Sequence, residues 1–88
     1  FNPVTTIRFA VPGRDGWGAA GGVPVTLAVY DVRGRLVRML VSDRRAPGRY
    51  EAAWDGRNDG GRRVSSGIYF YRLAAGDFTR TRKMVLLR

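Results

Sequence analysis

The 88-residue sequence has no histidine, no cysteine, a single lysine (Lys83) and a single glutamate (Glu51). Without histidine it lacks the usual proton shuttle near neutral pH and the commonest metal ligand. Without cysteine it has no disulfides, thiolate nucleophiles or cysteine-based zinc sites. No apolar run exceeds four residues, as in Leu27–Tyr30 and Met84–Leu87, far short of the roughly 20 a membrane-spanning helix needs. The chain opens at Phe1 with neither Met nor a basic-then-apolar leader. It therefore reads as a piece of a longer protein with no signal peptide of its own.

What is present is globular in type. Apolar residues make up 44% and charged residues 26%, and the length allows one domain with a modest core. Sixteen basic residues, fifteen of them Arg, outweigh seven acidic ones, giving a net charge of +9.

Twelve glycines spread along the chain disfavour helices and divide it into short runs with strand character. Thr5–Val11 alternates, with Ile7, Phe9 and Val11 on one face. The glycine-rich loop Gly13–Gly22 follows, with Trp17 at its centre. Val25–Asp31 alternates again, facing Val25, Leu27 and Val29 inward, and Asp31-Val32-Arg33-Gly34 reads as a tight turn. Arg35–Ser42 fits a strand with a bulge, placing Val37, Met39 and Val41 in one row; Leu36, Val37 and Leu40 would also suit a helical turn. Arg49–Trp54 puts Tyr50, Ala52 and Trp54 together. Val64–Leu73 is apolar on both faces from Gly67 onward, as a central strand is. Phe78–Leu87 closes the chain after a short hairpin turn at Ala74–Asp77. The expected fold is all-β: an immunoglobulin-like sandwich of about seven short antiparallel strands.

Chemistry-bearing groups are sparse. Asp55, Asn58 and Asp59 offer three oxygens in one loop. Calcium wants six to eight, and Asp, Asn and Gly make a polar turn without any metal. The hydroxyls of Ser42, Ser65 and Ser66 have no histidine to activate them, and Lys83 is the only amine for a Ser–Lys pair. Glu51 alternates outward. The composition therefore speaks against catalysis, and no catalytic, cofactor or metal residues are expected. Gly13–Gly22 lacks the GK[ST] of a phosphate cradle. Trp17 is expected to close a sheet end rather than to dock a partner. The arginines are scattered rather than gathered in one stripe with stacking aromatics, so specific nucleic-acid binding is not expected. A charge of +9 would still attract polyanions such as lipopolysaccharide phosphates at low salt.

Six strings occur in order along nearly the whole chain: FNPVTT (Phe1–Thr6), VYDVRGRLV (Val29–Val37), PGRYEAAWDG (Pro47–Gly56), Gly60-Gly61-Arg62, GIYFYRL (Gly67–Leu73) and TRKMVLL (Thr81–Leu87). Together they resemble the immunoglobulin-like C-terminal sorting domain of proteins exported by the type IX secretion system. They are also similar to the Ig-like domain of the flagellar hook-capping protein. Gly13–Gly22 departs from that pattern, and Trp17 has no counterpart in it.

The resemblance implies a non-catalytic domain, fused to an N-terminal cargo and recognised by the outer-membrane secretion machinery. It implies a secreted or cell-surface location in a Gram-negative-type bacterium, with anionic lipopolysaccharide as a further partner. It places the address on Gly67, Tyr69, Leu73, Lys83, Met84, Val85, Leu86 and Leu87. Tyr30, Asp31, Gly34, Trp54, Asp55 and Gly56 would be structural. A structural Ig-like module that packs on its cargo or on neighbouring subunits is the alternative, and a polyanion-binding domain a third.

Overall fold

Alternating side chains build six strands: β1 (Thr5–Val11), β2 (Val23–Tyr30), β3 (Leu36–Arg45), β4 (Gly48–Trp54), β5 (Gly67–Ala75) and β6 (Phe78–Leu86). The computed structural model describes residues 4–18 and 21–87. Phe1, Asn2 and Pro3 of the first string, Ala19 and Ala20 of the glycine-rich loop, and Arg88 lie outside the described residues. All strand pairs are antiparallel. β1 pairs with β4 in one sheet, and β3-β2-β5-β6 form the other. Among the described residues there are thus six strands, not seven, and no helix. The connections at 12–18 and 55–66 are too rich in glycine and polar residues to add another.

The two sheets close over one core. Ile7, Phe9 and Val11 of β1 meet Val25, Leu27 and Val29 of β2, with Trp54 of β4 and Tyr69, Leu73 and Ala75 of β5 completing it. These residues share a face because side chains along a strand alternate. Val25, Leu27, Val29 and Trp54 are the largest side chains that lose water contact almost completely. β5 lies between β2 and β6, the central position expected from its apolar faces.

β3 departs from simple alternation. Leu27 pairs with Val41 but Ala28 with Met39, and Val29 pairs with Arg38 but Tyr30 with Leu36. Leu40 and Val37 are therefore extra residues, two bulges on one strand. The bulge at Leu40 breaks the row expected of Val37, Met39 and Val41. Val37 and Val41 are buried, whereas Met39 is 37% exposed. β5 starts at Gly67 rather than Val64 because the Val64 N–H donates to the Gly56 carbonyl (3.0 Å) and ties that residue into the preceding loop.

Candidate functional site

The residues expected to form an address fall on the β5–β6 pair. Gly67 stands opposite Leu86, Ile68 opposite Val85, Tyr69 opposite Met84 and Phe70 opposite Lys83. Leu73 pairs farther along, with Arg80. Pleating divides the set in two. Tyr69, Leu73 and Leu86 are buried and Met84 is half-buried, so they belong to the core row. Lys83, Val85 and Leu87 are exposed, Val85 at 56% and Leu87 at 73%. β6 is an edge strand, so this exposed row borders solvent on two sides.

Tyr69 has a structural task. Its hydroxyl donates to the Ser65 carbonyl (2.7 Å), a link from the start of a strand back to the preceding corner, as in the tyrosine corner of Ig-like sandwiches. Its ring meets Trp54 edge to face, 5.2 Å between centroids. The Trp54 indole N–H donates to the Arg57 carbonyl (2.9 Å). Trp54 therefore fills the centre of the sandwich and also ties down the loop that follows it.

That loop repeats the geometry of the first hairpin. In the hairpin, the Gly34 N–H donates to the Asp31 carbonyl and the Asp31 N–H to the Arg35 carbonyl, both at 3.0 Å. The Arg35 N–H in turn donates to Asp31 Oδ1. In the loop, Gly61, Asn58 and Arg62 make the same three bonds. Gly34 (φ 81°) and Gly61 (φ 82°) occupy the same left-handed position, where a side chain would be strained. The Arg35 N–H, together with the Arg35 guanidinium and the Arg33 N–H, holds the Asp31 carboxyl below its ordinary value near 3.8, against a smaller opposing effect of burial. Tyr30, at the end of β2, is half-buried and carries the Arg72 guanidinium 5.4 Å above its ring.

The three side chains weighed for calcium each hold a backbone N–H. Asp55 Oδ1 accepts from the Arg57 N–H (3.1 Å), Asn58 Oδ1 from the Arg62 N–H (3.0 Å) and Asp59 Oδ1 from the Met39 N–H (3.0 Å). The Asp59 N–H also donates to the Val37 carbonyl (2.9 Å), so the loop crosses to the bulged edge of β3. Arg38 lies 3.8 Å from both Asp55 and Asp59, and Arg57 lies 3.9 Å from Asp55. Gly56 is buried at the base of the loop.

Trp17 closes a sheet end. It packs against the core and over the β5–β6 turn, so close that a Cβ on Gly76 would lie 2.9 Å from its ring. The Arg14 guanidinium lies 4.9 Å from the Trp17 ring centroid and pairs with Asp77 of the same turn. Ser42 and Lys83 are not brought together: β3 and β6 are opposite edges of the sheet, about 14 Å apart at the usual strand spacing. Glu51 is exposed and paired with Arg8 at 3.0 Å.

One feature escaped the sequence. A groove of about 1190 Å³ opens between the sheets, floored by Tyr71, Leu73 and Phe78 and rimmed by Arg8, Arg49, Arg80 and Arg82, with Glu51 the only acid. Arg80 pairs with Leu73 and Arg82 with Tyr71, so both arginines stand in the inward row of β6. The sequence signal was there, since Phe78, Arg80, Arg82, Met84 and Leu86 share one parity, but composition alone read these arginines as scattered surface charge.

No curated protein and no solved structure is similar enough to match the chain. The family model of the FlgD Ig-like domain matches residues 9–77, which include the first hairpin, the Trp54 loop and the Tyr69 corner, and the chain belongs to that family.

Proposed function

We propose that this Ig-like domain is a non-catalytic sorting and anchoring module, which directs a larger cargo through the type IX secretion system to the surface of a Gram-negative-type cell. The observation that carries this reading is the division of β6. Met84 and Leu86 fix the strand to the core, while Lys83, Val85 and Leu87 stay exposed on an edge. A receptor could read such a row without unfolding the domain. The partners would be the outer-membrane secretion machinery, the fused cargo, and anionic lipopolysaccharide drawn by the +9 charge.

The test is a signal-peptide-bearing reporter fused ahead of the domain in a host with a matching system. Lys83→Ala and Val85→Ser should melt like the parent and lower export. Deleting residues 83–88 should stop export, but it also strips the last strand and exposes the edge of β5. Normal export by the stable variants and by the truncated chain would overturn the reading.

The second reading is a structural Ig-like module that packs on its cargo or on neighbouring subunits. Membership of the FlgD Ig-like family favours it, as do the core positions of Tyr69 and Leu73. In that case the fused cargo should lose thermal stability when the domain is removed, whatever its route of export.

A further inference from the structure

The two sheets are unequal: two strands face four. β1 has β4 on one side, and its other edge is unpaired among the described residues. In an antiparallel strand every second residue turns its N–H and C=O away from the existing partner, so β1 offers an open ladder. Across the gap lies the uncovered end of β6. Inner faces of sandwich strands are normally apolar, yet here the row reads Phe78, Arg80, Arg82 before reaching Met84 and Leu86. Met84 and Leu86 are covered by the core; Arg80 and Arg82 are exposed. Among the described residues, no carboxylate lies within ion-pair distance of Arg49, Arg80 or Arg82.

We propose that the groove between β1 and β6 takes an extended acidic segment of another protein, which adds to the free edge of β1 as a third strand. The inward row of that strand would meet Arg80, Arg82, Tyr71 and Phe78 together, so it would carry both carboxylates for the two arginines and apolar side chains for the two rings. This is recognition by strand addition: the main-chain ladder provides affinity and alternate side chains provide selection. The charge selects the occupant. A second copy of a +9 chain would bring like charge into an arginine-rimmed groove, which opposes binding. A nucleic acid would satisfy the arginines but has no backbone to pair with a strand edge.

The probe is an eight-residue peptide with two Glu and two Val on one strand face and Thr at the four alternate positions, titrated into the full 88-residue chain while backbone amide resonances are followed. Shifts should concentrate on β1 and on residues 78–82, and alternate β1 amides should exchange more slowly. Alternate N-methylation of the peptide keeps its charge and removes its ladder; binding should fall at least tenfold. Arg80→Glu/Arg82→Glu should also weaken binding at least tenfold, whereas Arg33→Glu/Arg62→Glu, with the same change in net charge, should not. If the first double variant loses its native spectrum, Arg80→Thr/Arg82→Thr replaces it with the same expectation. Equal binding by the methylated peptide, equal loss in both double variants, or displacement by a short single-stranded DNA that shifts the same amides would overturn the proposal. So would a dimer in sedimentation that occupies β1 in place of the peptide.

Discussion

Trp54 and Tyr69 join the two sheets edge to face, with centroids 5.2 Å apart and rings inclined at 68°. Each also donates its one polar hydrogen to a carbonyl three or four residues away in the chain, Trp54 to Arg57 and Tyr69 to Ser65. The pair therefore buries two large aromatic bodies without leaving a polar atom unpaired, which is the condition for placing Trp or Tyr in a core.

Trp54→Ala should be the most damaging single truncation. The side chain is 1% exposed, and emptying such a site costs about 3–5 kcal/mol of a total that is typically about 5–15 kcal/mol. Trp17→Ala, which removes a half-buried ring, should cost much less. Urea denaturation of both variants checks the order. A Trp54→Ala variant that melts within a few degrees of the parent would show that the core does not depend on this ring.

Tyr69→Phe isolates the corner bond. The ring contact with Trp54 remains, and only the hydrogen bond to the Ser65 carbonyl is lost, a change of about 0.5–1.5 kcal/mol. Amide exchange should rise around residues 64–67 more than elsewhere. Uniform loosening would mean that the hydroxyl does not fix the corner.

Gly22→Ala and Gly34→Ala should differ sharply although both backbones have positive φ. At Gly34 a Cβ meets nothing within 4 Å, so only backbone strain of about 1–2 kcal/mol applies. At Gly22 it would lie 2.0 Å from the Arg45 carbonyl oxygen, where the end of β3 would have to move. Chemical denaturation of the two variants should rank Gly22→Ala well below Gly34→Ala.

Asp31 gives a pH signature. Its carboxyl titrates lower in the folded chain than its ordinary value near 3.8, so the folded state favours the charged form. That contribution is fully present above the unfolded value and is lost as pH falls through the folded one. The melting-temperature gap between parent and Asp31→Asn should be widest near neutral pH and should close in acid below about pH 3.8. A gap that stays constant down to pH 2 would remove the carboxylate from the account.

Strand positions were legible because β1 and β4 alternate cleanly: Ile7 and Phe9 face Ala52 and Tyr50 as their parity requires. The first hairpin was equally open, since Asp31 and Gly34 each have a single good use in a tight turn. β3 was less so. Two bulges shift parity within six residues, and no local signal separates Met39 outside from Val37 and Val41 inside. The groove was hidden for another reason. Arg80 and Arg82 have the parity of core residues, and only the narrowness of the facing two-stranded sheet explains why they are tolerated there. On β6 the address residues Lys83 to Leu87 were read as one set, whereas pleating splits them between the core row and the exposed row, and parity cannot tell a row that faces solvent from one that faces a receptor.

The loop that follows Trp54 reaches across to β3 and occupies the Val37 carbonyl and the Met39 N–H through Asp59. A sheet edge is where one molecule can recruit the next, and on this side the recruiting groups are already engaged and the strand is kinked. A neighbour laid along β3 would find its ladder interrupted midway. In the four-stranded sheet, growth by strand addition is thus left to the opposite edge, β6. A sheet blocked at one edge and open at the other ends a stack; it cannot pass the pattern on.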